Sequence, residues 1–301
     1  MPRTRSLIEL EHLSADEITS FLKLARRMQS GRPRPVLRGK RIALLFYEAS
    51  TRTRVSFEFA AKLLGTHTSV INAISSSIEK GESLVDTGKT LQALGSDCIV
   101  VRHPASGAPH VLTRNLKIPI INAGDGMHEH PSQALLDAYT ILRHKRSLKG
   151  LRITMVGDIQ HSRVVRSNVH LLSKFGAQVI LCGPPELLPD YAASLAPNVK
   201  VSRHIDEAAR KADVIMMLRV QKERLAGLKL DVHNYIAQYQ LTPERLRLAK
   251  SDAIVMHPGP MVRGMEIQSE VADGPQSVIE EQVHNGVYVR MAILATCLGV
   301  A

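Results

Sequence analysis

Residues 48–54 read Glu-Ala-Ser-Thr-Arg-Thr-Arg, a cluster of hydroxyls and guanidinium groups chemically suited to a phosphate. Its place in the chain strengthens that reading. Just before it, Arg41-Ile-Ala-Leu-Leu-Phe-Tyr47 is a short apolar run of the kind that forms a buried parallel strand. Just after it, Val55, Phe57, Phe59, Ala60, Leu63 and Leu64 recur at helical spacing until Gly65 closes the segment. The cluster therefore falls where a strand ends and a helix begins, and there free N–H groups and the helix dipole favour an anion. A plain Ser/Thr N-cap with exposed arginines is the competing explanation. Against it, Arg52 and Arg54 in a first turn oppose the dipole unless something negative binds.

Other segments carry similar chemistry. Gly157-Asp158 ends a strand-like run, but Ile-Gln-His-Ser-Arg163 follows where a dinucleotide fingerprint needs two more glycines. A nicotinamide enzyme is not expected on that ground, and Arg163 offers a planar fork for a carboxylate instead. In residues 124–133, His128 and His130 stand two apart beside Pro131, so their side chains diverge and no metal is expected. Pro131 is suited to open a helix, with His130 just ahead and Gln133 one turn in. The polar stretch 74–83 reads either as a surface loop or as a lid carrying Lys80 to an anion. Leu218-Arg-Val-Gln-Lys-Glu-Arg224 and His257-Pro-Gly-Pro260 each follow a strand, at the ends where α/β sheets place ligands.

The elements that must position these groups alternate. Strands are predicted at 42–47, 68–71, 98–102 and 120–123, with helices at 14–28, 55–64, 83–94 and 132–145. Ser14 and Glu17 form a predicted capping box. Beyond a seam at Lys149-Gly150 come strands 152–156, 178–182, 199–202, 214–218 and 253–257, with helices 163–175, 205–211 and 243–248. Residues 277–298 read as one long helix broken near Asn285-Gly286. Two runs of β-α alternation imply two α/β domains, each a parallel sheet flanked by helices. A chain of 301 residues has length for both.

Composition narrows the function. The charge of +11 invites a nucleic-acid reading, but aromatics are only 4% and the basic residues are scattered, so collection of small anions explains it better. No apolar run approaches the ~20 residues of a membrane span. Met-Pro-Arg-Thr-Arg-Ser lacks the apolar core of a secretion signal, and Cys98, Cys182 and Cys297 read as buried thiols, so a cytoplasmic location is expected.

Taken in order, Ser50-Thr-Arg-Thr-Arg54, Ser76 through Lys80-Gly-Glu, Arg102-His-Pro104, His130-Pro-Ser-Gln133, Arg219 through Arg224 and His257-Pro-Gly-Pro260 resemble the aspartate/ornithine carbamoyltransferase family over nearly the whole chain. The H-C-L-P and S-M-G segments of ornithine-type members are missing, and Lys80, Arg219 and Gln221 look like the aspartate type. The resemblance implies a carbamoyl phosphate domain at 1–146 joined by a C-terminal helix (about 284–301) packing back on it, and an aspartate domain at 147–283. It implies that Ser50, Thr51, Arg52 and Thr53 hold the phosphate, and that Thr53, Arg102 and His130 polarise the carbonyl oxygen. Gln133, with backbone groups of Pro260 and Gly259, would take the carbamoyl NH2. Arg163, Arg219 and Gln221 would orient aspartate.

Ser76 and Lys80 would come from the adjacent subunit of a homotrimer, and Glu48 would pair with Arg163 and Arg224 as a domain-closure latch. Gly259 stands where the best-known chains carry leucine. The implied reaction makes carbamoyl aspartate for pyrimidine synthesis without cofactor or metal. The alternative is a relative using ornithine or an N-acylated acceptor. A regulatory-chain or dihydroorotase partner is left open.

Overall fold

The computed structural model describes residues 5–31, 34–72, 81–220 and 231–300. The chain divides into two compact units, Met1–Tyr139 with Val283–Ala301, and Thr140–Gln282.

In the first unit, α1 (Ala15–Ser30) begins at the predicted capping box: Ser14 Oγ accepts from Glu17 N–H while Glu17 accepts from Ser14 N–H. Then follow β1 (Arg41–Phe46), α2 (Thr51–Leu63), β2 (His67–Asn72), α3 (Leu84–Ala93), β3 (Cys98–His103), α4 (Ala108–Asn115), β4 (Ile120–Asp125) and α5 (Pro131–His144). The four strands form one parallel sheet in the order β2-β1-β3-β4. Ala43 and Leu45 of β1 and Ile99 and Val101 of β3 pack with Leu91 of α3 and Leu112 of α4. Such alternate residues share a sheet face, and each large side chain so buried contributes roughly 1.5–3 kcal/mol. Residues around Leu7 run beside β4, with Leu7 N–H donating to Ile120 O and Asn122 N–H to Leu7 O, so this edge of the sheet is covered.

The second unit contains β5 (Arg152–Val156), α6 (Arg163–Lys174), β6 (Gln178–Cys182), a 3-10 turn (Asp190–Leu195), β7 (Val199–Ser202) and α7 (Ile205–Ala209). After them come β8 (Val214–Met217), α8 (Val232–Tyr239), α9 (Pro243–Leu246), β9 (Ile254–Met256) and α10 (Ser269–Ala272). Its parallel sheet runs β7-β6-β5-β8-β9. The last helix, α11 (Ile279–Cys297), returns to the first unit from Val283 onward.

Two expectations need correction. The helix placed at 55–64 starts earlier, at Thr51, which puts Arg52 in its first turn as the dipole argument assumed. The break expected near Asn285-Gly286 is not there, and α11 runs through both residues. Gly286 serves packing: a Cβ would lie 2.4 Å from Arg290 Nη1 and 3.3 Å from Leu136 Cδ2. The buried Asn285 accepts from Gln29 Nε2 at 3.1 Å. Helices α4, α8 and α10 were not expected. They are short, and Gly107, in the left-handed conformation, opens α4 where a sequence reader expects a turn. All three cysteines are free and buried, as expected. No described helix is long and apolar enough to cross a membrane.

Two substitutions test this architecture. Glu129, fully buried, accepts from Leu10 N–H at 3.0 Å and Glu11 N–H at 3.2 Å. Glu129→Ala should cost about 3 kcal/mol in urea unfolding, because it strands buried donors. Gly157 has φ +134° and a Cβ there would sit 2.8 Å from Leu218 O. Gly157→Ala is expected to lower stability by about 2 kcal/mol, read in the same assay.

Candidate active site

Strand order determines where a ligand can enter. In an open parallel sheet the crevice lies beyond the carboxyl ends of strands whose connections leave in opposite directions. In the first unit the chain goes from β1 outward to β2, then back across to β3, so the switch lies between β1 and β3. In the second it lies between β5 and β8.

The first switch point holds the hydroxyl-arginine cluster. Phe46, the last residue of β1, pairs with Arg102 near the end of β3, and Tyr47 N–H donates to Arg102 O at 2.9 Å. Ser50 is the N-cap residue of α2, yet its side chain makes no capping bond, so an ordinary cap does not account for it. No acidic residue lies in the first turn, while Arg52 does and is exposed. Helix N–H groups, hydroxyls and a cation thus converge with no fixed anion among the first-turn side chains. Thr53 is buried at 5% exposure.

Arg102 sits where the β3–β4 register shifts between Val101 and His103, an irregularity that re-aims side chains. Its Nε donates to Glu48 Oε2 at 3.0 Å. The sequence pointed to both residues but not to this pair. Next to Arg102, His103 Nδ1 accepts from Ala105 N–H, and burial lowers the ring's pKa.

β4 ends on Asp125, and a turn leads to His130 and α5. Burial alone would raise the Asp125 carboxyl, but bonds from His128, Asn122 and Gly107 N–H outweigh it and hold its pKa low. The same contact raises His128. His128 is thereby spent on Asp125 and Glu9, while His130, 4% exposed, has Ser132 Oγ 3.4 Å from Nδ1. The two rings serve different neighbours. Among the described residues no group of three or more His, Cys, Asp or Glu is arranged to hold a metal. Gln133, one turn into α5, donates from Nε2 to buried Asp137 Oδ1 at 2.9 Å. Glu129 and Asp137 were not singled out from the sequence; a buried carboxylate bonded to a local donor leaves no pattern there.

In the second unit, Gly157 lets the chain leave β5 close to Leu218. Ser162 then caps α6, its Oγ accepting from Val165 N–H at 3.2 Å, and Arg163 is the first helical residue. Arg219, exposed, lies just past β8, so Arg163 and Arg219 flank the second switch point. Past β9, His257 Nδ1 accepts from Gly259 N–H at 2.8 Å, which leaves Nε2–H to donate to Glu266 Oε1 at 3.1 Å. His257 and Glu266 are both buried and hold the turn through Gly259 and Pro260, whose connecting peptide is cis. His257 is therefore a scaffold residue. Ser76, Lys80, Gln221 and Arg224 lie outside the described residues.

Comparison with known proteins agrees with this geometry. Residues 5–143 match the family described as aspartate/ornithine carbamoyltransferase, carbamoyl-P binding domain, and residues 149–297 match its Asp/Orn binding domain. The chain is 63% identical over 296 residues to the aspartate carbamoyltransferase catalytic subunit of Koribacter versatilis, covering 98% of each chain. It is 55% identical to that of Solibacter usitatus, covering 97% of this chain and 99% of the relative. Among solved structures, aspartate transcarbamoylase of Trypanosoma cruzi with carbamoyl aspartate and phosphate superposes with a TM-score of 0.88 at 34% identity, covering 98% and 96% of the two chains. Ornithine carbamoyltransferase of Pyrococcus furiosus gives 0.90 at 30% identity, with 99% and 98% covered. With both of its domains matched and its relatives aligned end to end, this chain belongs to the aspartate/ornithine carbamoyltransferase family.

Proposed function

We propose that this chain transfers the carbamoyl group of carbamoyl phosphate to the amine of L-aspartate, giving N-carbamoyl-L-aspartate and phosphate for pyrimidine synthesis. The observation that carries the reading is the uncapped, arginine-bearing start of α2 beside Arg102 at the first switch point. The ornithine enzyme superposes as well as the aspartate enzyme, so fold alone does not choose the acceptor. High identity to aspartate-type relatives, and Arg163 and Arg219 at the second switch point, favour a dicarboxylate.

In this mechanism Ser50, Thr51, Arg52 and Thr53 bind the phosphate. Thr53, Arg102 and His130 donate to the carbonyl oxygen and stabilise the negative charge that grows on it during attack. Gln133 accepts from the carbamoyl NH2, assisted by the backbone carbonyls of Pro260 and Gly259. Arg163, Arg219 and Gln221 hold the aspartate carboxylates. The amine attacks the carbonyl carbon, the bond from that carbon to the phosphate oxygen breaks, and the departing phosphate takes the amine proton. Positioning and electrostatics do the work, with no covalent enzyme intermediate.

We assign Ser76 and Lys80 to an adjacent subunit's site in a homotrimer, and the protein to the cytoplasm. Glu48 we assign to the latch with Arg163 and Arg224. Its bond to Arg102 supports a second duty, holding that guanidinium ready while the site is empty.

Three assays test the proposal. Phosphate release should be rapid with aspartate and at least ~100-fold slower with ornithine or N-acetylornithine; the reverse order overturns the acceptor. Arg52→Ala should lower kcat by about 10²–10³. Mixed and reassembled with an equally inactive Lys80→Ala chain, it should recover part of that activity, whereas no recovery rejects shared sites. Glu48→Gln should raise the KM for aspartate severalfold if the latch operates. A fall in kcat at unchanged KM assigns Glu48 to Arg102 alone.

A further inference from the structure

Gln133 has an amide with two unlike ends: its NH2 can only donate and its oxygen can only accept. What selects the end presented to a ligand is the partner of the other end. Here that partner is Asp137, one helical turn further along α5, with 0% exposure and Oδ1 2.9 Å from Gln133 Nε2. A flipped amide would set two acceptor oxygens against each other in a buried place. Arg290 of α11, also buried, feels the Asp137 carboxylate, which favours its charged guanidinium against the opposing effect of burial. Burial pulls the Arg290 guanidinium down to about 10, which still leaves it protonated at neutral pH. That guanidinium lies 5.1 Å from the centroid of the Phe57 ring of α2, in space that a side chain at position 286 would fill.

We infer that Asp137 is a positioning residue for the transfer reaction: it holds the Gln133 amide with Oε1 turned away as an acceptor, so that the site selects an acyl phosphate bearing an NH2 group, with Arg290 as its buried counter-charge. The inference rests on the role given to Gln133 above and adds the origin of the donor selectivity. Acetyl phosphate, the near-isostere with a methyl group in place of the NH2, is the probe.

The test is a double-mutant cycle with full-length enzyme. Asp137→Asn should raise the KM for carbamoyl phosphate or lower kcat/KM by about 30-fold, while the inhibition constant of acetyl phosphate against carbamoyl phosphate changes less than about twofold. Added to Gln133→Ala, the same substitution should cost no more than about a further twofold. General damage to the site would instead weaken both acyl phosphates and add fully to Gln133→Ala, and either result overturns the positioning role. If Gln133→Ala itself leaves carbamoyl phosphate use intact, the role of Gln133 falls and the inference with it. If Gln133→Ala is impaired but Asp137→Asn is not, only the positioning role falls. Should Asp137→Asn fail to fold, the exchange Gln133→Glu with Asp137→Asn keeps one internal donor-acceptor contact and one acceptor for the ligand. That enzyme should retain the preference for carbamoyl over acetyl phosphate, and losing it overturns the inference.

Discussion

A parallel strand followed by a helix leaves unpaired N–H groups and a partial positive charge at one edge of the sheet. Among the described residues every pair of neighbouring strands is parallel, so the strands of each sheet all end at the same edge. Arg52 adds a cation to such an end, and no acidic residue shares its first turn. The candidate site is built around that helix start, and the surrounding residues hold it in shape.

That support comes from buried carboxylates. Asp125 gathers His128, Asn122 and Gly107 N–H; Glu129 ties the N-terminal segment beneath the turn that precedes His130; Asp137 takes one end of Gln133. Glu266 does similar work for the turn after β9 through His257. A buried carboxylate is costly alone and strongly directional when its oxygens are filled. Each therefore fixes a neighbouring segment in a single orientation. Arg290 serves the same end as a buried cation, and Gly286 is a glycine because of the space it takes.

Much of the fold was legible in the chain. Apolar runs such as Arg152–Val156 and Gln178–Cys182 became strands with the limits expected, since a strand buried on both faces must be uniformly apolar. The capping box at Ser14 needs only its own four residues and formed as read. Gly286 was misread because glycine weakens a helix in isolation, whereas here the loss is offset by close packing against Leu136 and Arg290. Helix α4 was missed because eight residues behind a left-handed glycine carry too little periodicity to be distinguished from a loop.

By itself the sequence determined two α/β units and the placement of the hydroxyl-arginine cluster Ser50–Arg54 where a strand passes into a helix, because strand-to-helix junctions and their chemistry are local. Only the tertiary structure decided that Arg102 lies beside Glu48, that β1/β3 and β5/β8 are the switch points, and that His128 bonds to Asp125. It alone paired Gln133 with Asp137 and brought Arg290 from the far end of the chain to Phe57. The reason is physical: strand order and side-chain pairing across long loops depend on which surfaces can be buried together, and no spacing along the chain records that.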